Sequence, residues 1–190
     1  MEITPTALSG VLILKPARFG DHRGYFSESW NKRALASHGI DIDFVQDNES
    51  LSAEKHTLRG LHFQAPPAAQ DKLVRVVQGT ILDVAVDIRV GSPTYGKWVG
   101  EELSAENGRQ LLVPKGFLHG FLTLTENVLV AYKCSDFYSR DCDGAVRFDD
   151  PDLGIDWGID AGAATVSEKD GSAPAFADFQ SPFAYEETAS

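Results

Sequence analysis

The sequence predicts a mainly β protein, built as a β-sandwich or a β-barrel. Short segments rich in β-branched residues follow one another along the chain, and Gly or Pro residues separate them. Two of these segments, residues 72–78 and 80–89, meet at Gly79 and are typical of paired strands. In the second segment both alternating faces are half apolar, which indicates a strand buried between two layers. Asp83 lies on one of these faces and, as a buried acid, needs a partner.

The other elements are predicted in chain order from the same patterns. A first extended segment covers residues 11–14 and ends before Pro16. One helix is expected from about Asn31 to His38, with Ser29 as the candidate N-cap and Gly39 as its end. Gly, Ser and Pro at residues 91–93 interrupt the series. The remaining strands are expected over residues 44–49, 57–64, 97–103, 110–113, 120–124 and 128–135.

The whole chain, residues 1–190, is expected to form a single domain. Residues 1 to about 50 are interpreted as an N-terminal arm and helix, 51–150 as the barrel, and 151–190 as a C-terminal segment that packs on the barrel. The tail from Gly162 is polar but carries four aromatic residues, which indicates packing, whereas the last few residues are expected to fray. These aromatic residues are Phe176, Phe179, Phe183 and Tyr185.

Composition excludes several classes of protein. The formal net charge of −11 argues against a nucleic acid as the partner, because phosphates require a basic surface. The chain has no run of 18 apolar residues and no signal peptide pattern, so we expect no membrane association. Its two cysteines, Cys134 and Cys142, form no disulfide framework and are expected to be free thiols in the cytoplasm.

Two motifs narrow the fold to a jelly-roll double-stranded β-barrel of the cupin type, with a few short peripheral helices. Residues 114–120, Pro-Lys-Gly-Phe-Leu-His-Gly, resemble the second cupin motif, PxGxxH. The first cupin motif has HxH, then a glutamate, six residues and a glycine. Here the same stretch has His62 and Gln64, and then Lys72, six residues and Gly79.

These substitutions predict a cupin pocket without a metal or any other cofactor. A cupin metal needs neutral imidazoles and an anionic oxygen ligand. Lys72 at the carboxylate position repels a cation, and Gln64 replaces the second histidine. The alternative interpretation is that His62 and His119 are ordinary core residues.

A metal-free pocket with His, Lys and Tyr can move a proton on a carbon next to a ketone. This chemistry needs a base, a donor on the developing enolate oxygen, and an acid that returns a proton. Imidazole is a suitable base near neutral pH. Lys72 can stabilise the enolate oxygen, and a tyrosine on the opposite face can reprotonate the carbon, which inverts it.

Nearly the whole chain, from about residue 3 to 185, resembles the dTDP-4-dehydrorhamnose 3,5-epimerase family. Several motifs occur in one order, which makes the resemblance more specific than any single motif. They lie at residues 21–28, 44–48, 59–64, 72, 114–119, 131–134, 136–138, 149–151 and 167–170.

The resemblance implies a set of catalytic and substrate-binding residues. His62 would be the base, oriented by Asp170, and Tyr132 would be the acid, with Lys72 also in the catalytic group. On their own, Asp170 in a polar tail would be a solvated acid, and Tyr132 would suit a core position. The implied substrate contacts are Arg23, Glu28, Gln46, Asp47, Asn48, Arg59, Lys72, His119, Tyr138, Asp143 and Lys169.

The nucleotide contacts contain one departure from the family pattern. Tyr138 and an aromatic near Phe19 or Phe26 would stack on the thymine. The family usually has a glutamate followed by Arg-Gly before the Asp-Asp-Pro turn. This chain has Asp143-Gly144-Ala145 there, so the carboxylate is shorter by one methylene.

The implied activity is inversion of C3 and C5 of dTDP-4-dehydro-6-deoxy-glucose, giving dTDP-4-dehydro-rhamnose for cell-surface polysaccharide such as lipopolysaccharide. The resemblance also implies a homodimer in which the N-terminal arm contributes across the interface. Three alternatives stay open at this point. They are an epimerase acting on one carbon of a related sugar, a metal-dependent cupin, and a non-catalytic sugar-binding cupin.

Overall fold

The computed structural model describes residues 1–186 and confirms a mainly β fold. The few helical elements are short. They are the helices α1 (Lys32–Ala36) and α2 (Glu168–Gly171), and single 3₁₀ turns at Arg140–Cys142, Ala161–Ala163 and Phe176–Asp178. The strands are β1 (Glu2–Pro5), β2 (Leu12–Lys15), β3 (Phe19–Asp21), β4 (Gly24–Phe26), β5 (Gln46–Ser52), β6 (Leu58–Gln64), β7 (Lys72–Gln78), β8 (Thr80–Asp87), β9 (Trp98–Ser104), β10 (Gln110–Val113), β11 (Phe117–Thr123), β12 (Val128–Cys134) and β13 (Asp143–Ala145).

Two antiparallel sheets form the double-stranded barrel. The first sheet has six strands in the order β1-β2-β10-β7-β12-β5, and the second has five in the order β13-β6-β11-β8-β9. Strands β3 and β4 form a separate hairpin. The main core lies between the sheets, where Val74 and Val130 of the first sheet meet Ile81 and Ala85 of the second. None of the helices in residues 1–186 is long and apolar enough to cross a bilayer.

The outer faces of both sheets are covered by segments that lie outside the barrel. The C-terminal segment packs aromatic side chains on the second sheet, with the ring centroids of Phe63 and Phe179 5.3 Å apart. Tyr185 lies under the Arg89 guanidinium. Leu35 of α1 packs on the first sheet. Residues 187–190, where fraying is predicted, lie outside the described residues.

The N-terminal part differs most from the prediction. β1 and β2 pair with each other and, through β10, join the first sheet, so part of the segment interpreted as an arm belongs to the barrel. The helix is shorter than predicted, and its N-cap is Asn31, whose side chain accepts a hydrogen bond from the Ala34 N–H. Ser29 was therefore the wrong cap, because the helix begins only at Lys32.

Close contact between β6 and β11 brings the two cupin motifs together. Gly60 has φ +136°, and a Cβ there would lie 2.5 Å from the Gly120 Cα. Only glycine fits at such a distance and such a φ. The register of these strands shifts between His119 and Phe121, and His119 is paired with His62. The glycines therefore let the two histidines sit side by side.

Candidate active site

One cavity of about 440 Å³ lies between the sheets and is lined by all four predicted catalytic residues. His62 and His119 reach it from the second sheet, whereas Lys72 and Tyr132 reach it from the first. The two pairs therefore meet across the barrel interior. The remaining lining residues are Ser50, Thr57, Leu58, Arg59, Phe121, Thr165, Val166, Ser167, Lys169 and Asp170.

His62 is held by a buried carboxylate from the C-terminal segment. Its Nε2 lies 2.6 Å from Asp170 Oδ1, and Asp170 is only 4 % exposed. Burial raises the pKa of Asp170, but the hydrogen bond and charge of His62 outweigh it, and the pKa stays below its usual value. Asp170 is therefore an anion at neutral pH, able to orient the imidazole and to stabilise its protonated form.

Two local features fix the position of Asp170. Ser167 is the N-cap of α2, and its hydroxyl accepts a hydrogen bond from the Asp170 N–H at 3.1 Å. The Gly60 N–H donates to the other carboxylate oxygen at 3.4 Å. The carboxylate is thus tied to both its own helix and β6.

A second histidine–aspartate pair stands beside the first. His119 Nε2 lies 2.7 Å from Asp83 Oδ1, and the Asp83 side chain is fully buried. The partner that the buried acid needs is therefore His119. Because His119 is paired with His62 across β6 and β11, both imidazoles face the same cavity.

Lys72 faces these histidines from β7. The pKa of Lys72 is lowered, mainly because the side chain is buried, and the positive charge of Lys169 acts in the same direction. Negative charge on Cys134, Asp143 and Asp83 opposes this lowering. A buried lysine with a lowered pKa can donate a hydrogen bond to a developing oxyanion more readily than an exposed one.

The residues at the cupin metal-ligand positions do not fit a metal. Lys72 stands where a carboxylate would be needed. The Gln64 side-chain amide is fully hydrogen-bonded to the backbone. Its NH₂ group donates to the carbonyls of Ala68 at 2.6 Å and Phe137 at 3.1 Å, and its oxygen accepts from the Ser139 N–H. Across residues 1–186, no group of three or more His, Cys, Asp or Glu side chains is arranged to hold a metal ion. Gln64 therefore has a structural role, joining β6 to two loops.

Tyr132 lies on β12, with Asn48 beside it on β5 and Val74 on β7. Burial raises the pKa of Tyr132, and nearby Cys134 acts in the same direction. The hydroxyl is therefore protonated at neutral pH and available as a proton donor. Tyr132 also packs against the main core, so its ring position is fixed by hydrophobic contacts.

Cationic side chains lie around the cavity and can bind an anionic ligand. The Arg59 guanidinium is held by the Ser52 hydroxyl and the Leu51 carbonyl, each at 3.2 Å. The Lys169 ammonium lies at the same cavity and forms an ion pair with Asp143. The chain as a whole is acidic, but these positive groups are concentrated at the cavity, so an anionic ligand can still bind there.

A smaller cavity of about 200 Å³ adjoins the first and shares His62, Lys72, Tyr132 and Lys169 with it. The Asp143 carboxylate lies at this cavity between Lys169 and Tyr138, whose hydroxyl is 3.3 Å away. Asp143, which stands where the family usually has a glutamate, thus joins β13 to α2 and to the loop that carries Tyr138. The other residues that line the smaller cavity are Gln46, Asn48, Gln64, Gln70, Tyr138 and Asp143.

Three predicted site residues do not reach these cavities within the chain. Arg23 lies in the turn of the β3–β4 hairpin, with its side chain 77 % exposed and paired to Asp21. Glu28 is exposed and accepts a hydrogen bond from Asn31. Asp47 lies on the opposite face of β5 from Gln46 and Asn48, because successive side chains alternate, and it is paired with Lys133.

Some residues of the site were not assigned by the sequence. Asp83 was singled out as a buried acid but not placed at the site, and Ser167 was part of a motif without a role. The signals were present, since a buried acid needs a partner and a serine before an acidic turn is a typical cap. What was missing was the contact of β8 with His119, which depends on strand order.

Comparison with known proteins identifies the family of this chain. The family described as dTDP-4-dehydrorhamnose 3,5-epimerase matches residues 5–178. The chain is 49 % identical to a dTDP-4-dehydrorhamnose 3,5-epimerase of Sinorhizobium fredii over 185 residues, which cover 97 % of this chain and 94 % of that protein.

Two solved structures of epimerases are similar to this chain. The dTDP-6-deoxy-D-glucose-3,5-epimerase of Legionella pneumophila, in complex with dTDP-4-keto-L-rhamnose, superimposes with a TM-score of 0.92 at 43 % identity, covering 98 % of this chain and 99 % of that one. A 3′-monoepimerase of Streptomyces bikiniensis, in complex with dTDP-quinovose, has a TM-score of 0.85 at 34 % identity, with coverage of 91 % and 87 %. Because the family model matches residues 5–178 and the sequence and fold agree with these relatives over nearly the whole chain, the chain belongs to the dTDP-4-dehydrorhamnose 3,5-epimerase family.

Proposed function

We propose that this protein is an isomerase that inverts C3 and C5 of dTDP-4-dehydro-6-deoxy-glucose to give dTDP-4-dehydro-rhamnose. The observation that carries the proposal is the His62–Asp170 pair, which faces Lys72 and Tyr132 from the opposing sheet across one cavity. This set contains a base with its orienting carboxylate, a cationic donor and a protonated acid. Inversion next to a ketone requires these groups.

In the proposed mechanism, His62 removes the proton from the carbon next to the C4 ketone. The C–H electron pair forms a double bond to C4, and the ketone oxygen becomes the enolate oxygen. Lys72 stabilises the negative charge on that oxygen. Tyr132 then donates its proton to the same carbon from the other face, which restores the ketone with inverted configuration. Asp170 stabilises the imidazolium that forms. Solvent then takes the proton from the imidazolium of His62 and returns one to the Tyr132 phenolate. With both groups restored, the same cycle acts on the second carbon, so that C5 and C3 are both inverted.

The substrate class is supported by the charged groups at the cavity mouths. Arg59 and Lys169 can bind diphosphate oxygens, and arginine suits this role because its planar fork matches them. Tyr138 is 60 % exposed beside the smaller cavity and presents a ring on which thymine can stack. We also propose Gln46, Asn48, His119 and Asp143 as contacts to the sugar nucleotide. Asp47 is less well supported because it points to the outer face.

Product analysis tests the function. In ordinary water, the product formed from dTDP-4-dehydro-6-deoxy-glucose should have the opposite configuration to the substrate at both C3 and C5. A product inverted at one carbon only would instead identify a mono-epimerase. That alternative is not favoured, because identity is 36–49 % to the 3,5-epimerases but 32–34 % to the mono-epimerase.

We further propose a homodimer in which Arg23 and Glu28 contact the substrate held by the partner subunit. Their distance from the cavity of their own chain and the exposed aromatic rings of the β3–β4 hairpin support this arrangement. Light scattering of the purified protein should give twice the mass of one chain. A monomer that retains full activity would contradict the proposal. The hairpin rings are Phe19, Tyr25 and Phe26, which are 67 %, 59 % and 69 % exposed.

We expect catalysis to need no metal, because an ammonium group at Lys72 repels a cation and the Gln64 amide is already hydrogen-bonded to backbone groups. Dialysis against a strong chelator should leave the rate of product formation unchanged. An activity that is lost on dialysis and restored by zinc, iron or manganese would contradict this prediction. A cytoplasmic location also stays a prediction, supported by the free thiols Cys134 and Cys142.

A further inference from the structure

Asp83 is a buried carboxylate whose hydrogen bonding is incomplete. It lies on β8 and is fully buried, between the core residues Ile81 and Ala85 on the same face. Its Oδ1 is bonded to His119 Nε2, but Oδ2 has no hydrogen-bond partner among residues 1–186. A buried carboxylate is costly unless a positive charge compensates it. The fold keeps this one inside the barrel, next to the reaction cavity.

The cation that can compensate Asp83 is Lys72. Lys72 lines the same cavity as His119, whose Nε2 lies 2.7 Å from Asp83 Oδ1. The charges that act on Lys72 are those of Cys134, Asp143, Asp83 and Lys169. The other titratable or charged groups of the cavity are Arg59, His62, His119, Tyr132 and Asp170. Burial raises the pKa of the Cys134 thiol, so at neutral pH it carries no charge. Asp143 is committed to the Lys169 ion pair. Asp170 is paired with His62, so Asp83 is, among the residues that the structure describes, the carboxylate of this group with a buried oxygen that no hydrogen bond satisfies.

We propose that Asp83 is a positioning residue that serves both sides of the cavity, orienting His119 and supplying the buried negative charge that keeps Lys72 protonated. This inference rests on the proposed epimerase function. It explains how a lysine enclosed in the barrel remains a cation and can stabilise the enolate. It also assigns a role to a buried acid that touches no substrate.

The pH dependence follows from this arrangement. Lys72 must be protonated to stabilise the enolate, so activity is lost as the pH rises through the pKa of Lys72. Burial lowers that pKa below its usual value, and the Asp83 carboxylate raises it again. When the Asp83 charge is removed, the pKa of Lys72 falls, and the loss of activity at high pH begins at a lower pH.

The test is the pH profile of substrate deuterium exchange in Asp83→Asn, which keeps the shape of the side chain and removes its charge. We expect the basic limb to move to lower pH by about one unit or more, the usual effect of losing an opposite charge at close range. The affinity for dTDP should be unchanged, because the nucleotide is bound by other residues. A uniform fall in rate with the basic limb unmoved would overturn the proposal.

Asp87→Asn is the matched control. Asp87 is also fully buried on β8, but its carboxylate is held by Arg89, Ser92 and Thr94. Its replacement should lower the melting temperature and leave the basic limb where it is. An equal shift in both variants would show that general destabilisation moves the limb, and would overturn the proposal.

A second variant keeps the test valid if Asp83→Asn does not fold. His119→Asn removes the hydrogen-bond partner of Asp83, so the carboxylate charge acts on Lys72 alone. The basic limb should then stay in place or move to higher pH, and a shift to lower pH would overturn the proposal. A wild-type protein that shows no exchange at all would instead refute the epimerase function on which the inference rests.

Discussion

Replacing His62 by alanine is expected to reduce deuterium exchange at the substrate by about 10²–10⁴-fold, the usual contribution of a positioned base. The reason is that His62 lines the cavity with one ring nitrogen anchored by Asp170 at 2.6 Å, and the proposed mechanism gives it the only proton-abstracting role. Exchange into dTDP-4-dehydro-6-deoxy-glucose, followed by NMR in heavy water, measures this step directly. The affinity for dTDP should be unchanged.

Asp170→Asn is the companion variant to His62→Ala. An asparagine can still hold the ring but cannot stabilise the imidazolium by charge, so the rate should fall by less than in His62→Ala.

Asp170 also affects the pH dependence of stability. Its pKa is lower in the folded state, so the carboxylate stabilises the fold above the usual carboxyl pKa, and this stabilisation is lost as the pH falls through the lowered pKa. If His62→Ala lost dTDP binding and exchange to the same extent, His62 would have a structural role.

Replacing Tyr132 by phenylalanine is expected to separate exchange from inversion. Tyr132 stands on the sheet opposite His62, and its pKa is raised, so its hydroxyl is protonated and able to donate. Phenylalanine keeps the ring that packs in the core and removes only the hydroxyl. His62 should still exchange the C–H for deuterium with retention, while inverted product falls by about 10²-fold or more.

Two outcomes would assign the tyrosine differently. Inversion by Tyr132→Phe at close to the normal rate would mean that another group or a water returns the proton. A joint loss of exchange and inversion, with the fold intact by circular dichroism, would place the hydroxyl earlier, in binding or in enolate formation. The two measurements on one variant therefore separate the three roles.

Strand patterns predicted the centre of the barrel well and its edges poorly. β7 and β10 have the predicted ends, because turn residues bound both strands, β10 is buried throughout and β7 has a buried apolar face. The short β13, Asp143-Gly144-Ala145, was missed, since its residues have low strand propensity and it forms only by pairing with β6. β1 and the β3–β4 hairpin were missed for a similar reason, being short and placed at the periphery of the fold.

The sequence predicted the site residues that lie in recognisable motifs. It predicted less well the residues whose place at the site depends on tertiary contacts. The changes at Gln64 and Lys72 were visible in the sequence and predicted a pocket unsuited to a metal. The pairing of His62 with Asp170 spans 108 residues, and only the family resemblance indicated it. Asp83 needed the register of β8 against β11 before its partner could be named. Arg23 and Glu28 stay predictions, because the residues of one chain do not place them at its own cavity.

The most direct test of the account is the NMR spectrum of dTDP-4-dehydro-6-deoxy-glucose incubated with the protein in heavy water. The account predicts that deuterium enters at both C3 and C5, the two carbons next to the ketone, and that both become inverted. Deuterium at only one of them would identify a mono-epimerase. No exchange at either carbon, in protein that binds dTDP, would contradict the central claim that His62, Lys72 and Tyr132 form an epimerase active site.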